Sequence, residues 1–282
     1  MAVYKRPITS LFFVLTVFAV VVFATNPELI YAQSGLRQTG QRWPSDQLVG
    51  IDQIQHEAFD ALLKKYVDTD GMVDYRKWHK SAEDRKALQT YIANLSRANH
   101  GVGANRDAQL AYWINAYNAV TLEGILAVYP TDSIRKHTSK LGYDIWKHLM
   151  FTTGDRQISL NDIEHKVLRK MNKPRIHFAI VCASIGCPRL LNEAYTAKKL
   201  DEQLATNTRD FFSRSRNLQF NRSTNQLKLS AIMQWFGTDF APDTNGQLRA
   251  LAKYFPKDVQ AAAAQRGPSV SYLDYDWNLN IQ

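Results

Sequence analysis

Both cysteines of the chain, Cys182 and Cys187, fall in one short run, RIHFAIVCASIGCP, at residues 175–188. Three chemistries fit that placement. The thiols could close a disulfide across their four-residue spacer, if the loop brings the two Cα atoms within about 7 Å. Cys182 could be a nucleophile activated by a nearby imidazole. Or both thiols could be small buried apolar groups. Pro188 fixes the exit of the loop, and Arg189 sets a positive charge beside it that would favour a thiolate or an anionic ligand.

The partners for a nucleophile stand upstream. In the segment IEHKVLR, His165 is next to Glu164, just after Ser159 and Asp162, an N-cap pair. A thiol-dependent hydrolase or acyl/amide transferase would use Cys182 as nucleophile and His165 as general base. Asn115 or Glu164 would orient the imidazole, and Ser184 or loop N–H groups would stabilise an oxyanion. The order Asn, His, Cys differs from papain-like enzymes, where the cysteine comes first. A non-catalytic binding site would draw instead on Asn118, Ser184, Arg189 and His177. A redox role fits less well, because CxxxxC lacks the two-residue spacing of thioredoxin-like pairs. Asn115 and Asn118 share one side of an apolar helix, where unpaired amides would be costly. Bonding a loop backbone and fixing its shape is therefore the reading their setting favours, and lining a site is the alternative.

No metal is expected. The chain lacks CxxC, HExxH and HxH spacings. The acidic residues Asp68, Asp70 and Asp74 do not make a calcium loop: counted from Asp68, Gly71 comes too early and His79 stands where the closing acid belongs. No cofactor is implied.

The elements that must carry these groups are mostly helical. Ile54, Ala58, Ala61, Leu62 and Tyr66 mark a stripe over 52–66, and Leu88, Tyr91, Ile92 and Leu95 another over 82–97. Residues 107–130 form a helix apolar on nearly every side and stopped by Pro130, as suits the centre of a fold. Residues 72–75 read as a short strand, and Ser159 opens a helix to about Lys170. RIHFAIV reads as a strand that delivers Cys182 to its end. A helix over 198–214, a hairpin of NLQF and QLKLS, a helix capped by Ser230, another at GQLRALAKYF and an extended tail follow. The class is α+β: a mainly helical body packed on a small, mostly antiparallel sheet.

The first residues read differently. Lys5 and Arg6 precede an uncharged apolar run at 8–24, so residues 1–32 are expected to be a signal peptide, cut after Ala24 or Ala32, or an N-terminal membrane anchor. Residues 33–50 read as a linker and 51–282 as one globular domain. Both leader readings put the body outside the cytoplasm, in the periplasm or the extracellular space. The chain is basic, with a net charge of +9, yet its lysines and arginines are scattered. A small-molecule, peptide or envelope partner is expected, with membrane attachment only through the N-terminus, and no nucleic acid.

The motifs resemble a bacterial and plant family, domain of unknown function 547. The shared blocks are VDY at 73–75, AYWINAYNAV at 111–120, SLNDIEHKVLR at 159–169, PRIHFAIVCASIGCPRL at 174–190 with AY at 194–195, and LSAIMQWFGTDF at 229–240. The resemblance brings no established catalytic set. It implies that plant members keep a cysteine where Cys182 stands and a serine where Cys187 stands. That makes Cys182 the position of interest and Cys187 the accessory one.

Overall fold

The structure is a computed structural model that describes residues 37–137, 144–264 and 267–282. Residues 1–32, expected to be a signal peptide or anchor, lie outside the described residues. Among those described, no helix is long and apolar enough to cross a membrane.

In chain order the elements are β1 (Arg37–Thr39), β2 (Val49–Gly50), α1 (Glu57–Tyr66), α2 (Tyr75–Lys80), α3 (Ala82–Leu95), β3 (Ala98–Asn99) and α4 (Arg106–Val128). Next come α5 (Ile145–His148), β4 (Leu149–Thr153), β5 (Arg156–Ser159), α6 (Leu160–Asp162), α7 (Leu200–Ser213), β6 (Leu218–Asn221) and β7 (Gln226–Ser230). The last are α8 (Ala231–Phe236), α9 (Thr244–Leu251), α10 (Lys257–Ala264) and β8 (Ser269–Leu273). With about 53% helix and 14% strand the class is α+β.

The strands do not form one mostly antiparallel sheet. Among the described residues they fall into three small ones: β1-β4-β5, β2-β3 and β6-β7-β8. β4/β5 and β6/β7 are antiparallel hairpins, whereas β1/β4, β2/β3 and β7/β8 pair in parallel. Hairpins are legible in local sequence, but a parallel partner is far away along the chain. The stretch read as a linker supplies β1 and β2, so from Arg37 on it belongs to the fold.

α4 is the axis. Its middle, from Leu110 to Leu122, is buried at every position, and Asn105 caps its start by accepting from Asp107 N and Ala108 N. Leu88, Tyr91, Ile92 and Leu95 of α3 are buried, as the spacing predicts. In α1 the buried face is Phe59, Leu62, Leu63 and Tyr66, while Ala58 and Ala61 are exposed. The larger side chains win the interior because they remove more apolar area from water.

Two apolar cores result. The larger surrounds α4. The smaller joins Phe178, Phe211, Phe212, Leu227, Leu229 and Leu251 under α7 to α9 and the C-terminal hairpin. Tyr275 packs against both.

The segment expected as the thiol-bearing strand is not one. Pro174–Phe178 forms a 3-10 turn, with Pro174 at its first position where a missing N–H costs nothing. Residues 179–195 then run without helix or strand, apart from a single bridge between Ser184 and Leu279. A short buried apolar run does not distinguish strand from buried turn by pattern alone.

Candidate functional site

A buried irregular segment needs partners for its backbone, and here asparagine side chains supply them. Asn118 of α4 donates from Nδ2 to Ala179 O at 3.0 Å and accepts Val181 N–H at 3.0 Å. Asn115, one turn earlier, donates to Tyr195 O at 2.8 Å and accepts from Tyr195 N at 2.9 Å. Asn207 of α7 donates to Phe178 O and to the Tyr195 hydroxyl. These amides take the place of a neighbouring strand. Of the two uses expected for Asn115, orienting an imidazole or bonding a loop backbone, its contacts with Tyr195 match the second. Asn118 shapes the loop rather than lining a pocket.

The loop they fix folds Cys187 back onto Cys182. Ala183 sits at φ 57°, and Cys187 N donates to Ser184 O at 3.1 Å, which closes a turn over the spacer. The C-terminal tail then lies against it: Ile185 N donates to Asn278 O and Gly186 N to Asp276 O, both at 2.8 Å. A Cβ on Gly186 would come within 3.0 Å of Asp276 backbone and of the Tyr275 ring, so glycine permits the close approach. That approach sets Tyr275 over the two sulfurs.

Both cysteines are free thiols, Cys187 buried and Cys182 partly exposed. Their sulfurs are 2.7 Å apart. The Tyr275 hydroxyl lies 3.1 Å from Cys182 Sγ and 3.0 Å from Cys187 Sγ, and the Ser184 hydroxyl lies 3.2 Å and 3.4 Å from them respectively. Cys182 N–H donates to Cys187 Sγ at 3.0 Å. Burial pushes the Cys187 thiol up. The donors converging on its sulfur, from Cys182, Ser184 and Tyr275, outweigh burial and hold it below the usual thiol range. The Cys182 thiol is pushed up, because its proton is held by Cys187 and because it is desolvated. Tyr275, raised by burial and by the neighbouring thiols, stays a donor.

The thiols open into a cleft of about 370 Å³ at the junction of the two cores. Trp146, Trp235, Phe236 and Trp277 wall it, and Trp235 is 45% exposed at its mouth. Trp235 packs on Tyr275 with ring centroids 4.9 Å apart and on Trp277 at 5.9 Å.

Glu164, His165 and His177 face the same cleft. Ser159 caps α6 as expected, accepting from Asp162 N at 3.1 Å. The helix does not then continue regularly to Lys170: Ile163–Val167 is a π turn and Leu168–Met171 a 3-10 turn. Such turns change which side chains a helix presents, and they concentrate at functional positions. Burial raises the Glu164 carboxyl to about 7, against the lowering effect of Arg169 and with a further push from Cys187. The Tyr117 hydroxyl donates to Glu164 Oε2 at 3.5 Å.

His165 is committed elsewhere. Arg169 Nη1 lies 3.2 Å from its Nδ1. A guanidinium only donates, so Nδ1 accepts and the neutral ring carries its proton on Nε2. Among the described residues no imidazole hydrogen-bonds either sulfur. Arg169 also grips Asp239 with a two-pronged contact, 2.7 Å on each arm. Asp239, held down to about 2 chiefly by Arg169, accepts from His177 Nε2 at 2.8 Å. His177 stacks on Phe236 and is lowered to about 4 by burial.

Arg189 turns away from the thiols. It donates to Asn207 Oδ1 at 3.0 Å and Thr69 O at 2.9 Å. Sequence reasoning thus placed Cys182, Cys187, Glu164, His165 and His177 at one cleft, with Ser184 against the two sulfurs; Asn115 and Asn118 bond the loop backbone, the use their place on an apolar helix suggests, while Arg189 lies away from the thiols. It missed Tyr275, Asp239 and the tryptophan wall. Tyr275 and Trp277 share an alternation in the tail, but nothing local ties them to a cysteine some 90 residues earlier. Among the described residues no group of three His, Cys, Asp or Glu side chains gathers to hold a metal ion.

Fold and cleft together define an α+β protein with a paired-thiol site. Residues 102–212 match the family described as protein of unknown function, DUF547. The match takes in α4, the Glu164 turn, both cysteines and α7, while Trp235, Asp239, Tyr275 and Trp277 lie beyond it. No curated protein and no solved structure matches the chain.

Proposed function

We propose that the cleft is a thiol–disulfide exchange site of an exported envelope protein, with Cys182 meeting the substrate and Cys187 resolving the mixed disulfide. The observation that carries this reading is the 2.7 Å contact between two free sulfurs, one of them collecting a backbone N–H and two hydroxyls. The apolar run at residues 8–24 supports export, and an exported dithiol meets disulfides in an oxidising compartment.

In the reducing direction the Cys182 proton moves to the Cys187 sulfur. The Cys182 thiolate attacks a substrate disulfide. A Cys182–substrate S–S bond forms, the substrate S–S bond breaks, and one substrate thiolate leaves. Cys187 then gives up its proton and attacks Cys182 Sγ. The Cys182–Cys187 bond forms and the second substrate thiolate departs. Two electrons pass from the protein pair to the substrate, and the reverse sequence oxidises a substrate dithiol. Acyl transfer through Cys182 and His165 is less well supported, because Arg169 occupies the imidazole nitrogen that would take the proton.

The test equilibrates the protein in glutathione redox buffers, alkylates the remaining thiols and counts them by intact mass. Both thiols disappear together, and a C187S variant instead accumulates one glutathione on Cys182. Independent titration of the two thiols, or no mixed disulfide in C187S, overturns the reading and leaves a binding cleft.

A further inference from the structure

The exchange sequence leaves one proton without a carrier. Cys187 is buried beneath Cys182 and must lose its proton in the resolving step. Tyr275 and Ser184 touch its sulfur, but both are hydroxyls that stay protonated near neutral pH. A group that accepts and releases a proton near pH 7 is needed within the same cleft.

Resting on the exchange reading, we infer that Glu164 takes the Cys187 proton as that thiol attacks the mixed disulfide and delivers it to the departing substrate thiolate. Three observations converge on this carboxyl. The π turn at Ile163–Val167 presents it to the cleft that both thiols line. Tyr117, fully inside α4, reaches its Oε2 and fixes its direction. Its affinity for protons, about 7, suits both halves of the task and is raised in part by the charge that develops on Cys187.

The step balances. A carboxylate and a Cys187 thiol become a carboxylic acid and the Cys182–Cys187 bond as the substrate thiolate leaves. The acid then protonates that thiolate and returns to its starting form. The charged groups facing Glu164 are Arg169 from the 3-10 turn that follows, Asp239 from the turn after α8, and Cys187. Lys147 of α5, its N-cap Asp144, and the neutral His165 and His177 line the same cleft. Arg169 opposes the raised affinity and is already neutralised by its two-pronged grip on Asp239.

The test mixes reduced protein with dithiobis-nitrobenzoate, which frees one coloured thiolate when Cys182 attacks and a second when Cys187 resolves. The second phase is followed from about pH 5 to pH 9. In the natural chain its rate rises through about pH 7. In E164Q it slows about 100-fold at neutral pH and the step near pH 7 disappears. E164D, which keeps a carboxyl, regains a step in the profile. The first phase, which does not need the carboxylate, reports that each variant has kept its cleft. An E164Q rate and profile equal to the natural chain's would overturn the role of Glu164 while leaving the exchange reading intact. Release of only one coloured equivalent by the natural chain would overturn both.

Discussion

Asn118 holds Val181 as a strand neighbour would: its Oδ1 accepts the Val181 N–H at 3.0 Å while its Nδ2 donates to Ala179 O at 3.0 Å. A single side chain thus satisfies both sides of the backbone immediately before Cys182. An N118A variant leaves a buried donor and a buried acceptor without partners. The expected loss is about 2–4 kcal/mol in denaturant unfolding, with faster alkylation of Cys182 as its loop loosens. A loss below about 0.5 kcal/mol, the range of an ordinary surface substitution, would show that Asn118 does not hold the loop.

That asparagine also marks where sequence reading stops. Helical stripes such as Leu88–Leu95 and caps such as Ser159 and Ser230 are local, so spacing alone reveals them. RIHFAIV has the composition of a buried strand, and only the tertiary partners Asn118 and Asn207 make an irregular path affordable there. The apolar pattern finds the thiol segment but not its backbone. The same limit applies to the cleft. Cys182, Cys187 and Ser184 lie within one turn of chain, whereas Tyr275 arrives through tail–loop hydrogen bonds at Ile185 and Gly186 that no periodicity encodes. Arg189 follows Cys187 closely in sequence yet points to Thr69, because Pro188 intervenes and Asn207 and Thr69 offer it acceptors.

Three partly or fully buried histidines make the fold acid-sensitive. His56, His100 and His177 are each lowered from 6.5 to about 4, chiefly by burial. Between those values the unfolded chain binds more protons than the folded one, so stability falls as pH drops from about 6.5 toward 4. Each histidine contributes up to about 1.4 kcal/mol per pH unit, and Glu164 offsets one of the three over most of this window. The net slope is about 3 kcal/mol per pH unit at its steepest, read from urea midpoints across pH. An H56Q variant removes about one proton from that slope. A flat profile between pH 6.5 and 4 would contradict the burial of these rings.

Glu164 acts with the opposite sign. Its carboxyl is raised from 4.5 to about 7, chiefly by burial, so the folded state holds an extra proton between those values. Stability from this group is greatest below about pH 4.5 and is lost as pH rises toward 7. E164Q, which never charges, is therefore expected to be more stable than the natural chain at pH 8, by about 2 kcal/mol, and near equal at pH 4.5. Equal unfolding midpoints at pH 8 would show that the carboxylate is well solvated in the folded protein.

Tyr275 supplies a hydroxyl to both sulfurs, 3.1 Å from Cys182 Sγ and 3.0 Å from Cys187 Sγ, and a further contact to Ser184 Oγ at 2.9 Å. A hydrogen bond to a charged acceptor contributes about 1.5–3 kcal/mol. Y275F keeps the ring packed against Trp235 and Trp277 and removes only that donor. The Cys187 thiolate loses part of its stabilisation, and its titration is expected to move up by about 1–2 pH units. The ultraviolet absorbance of the thiolate, followed against pH in the reduced protein, reads this directly. The C187S variant removes the titration altogether and so assigns it. If Y275F titrates like the natural chain, the donors that hold the Cys187 thiol down are Cys182 and Ser184 alone, and the tail serves only to close the cleft.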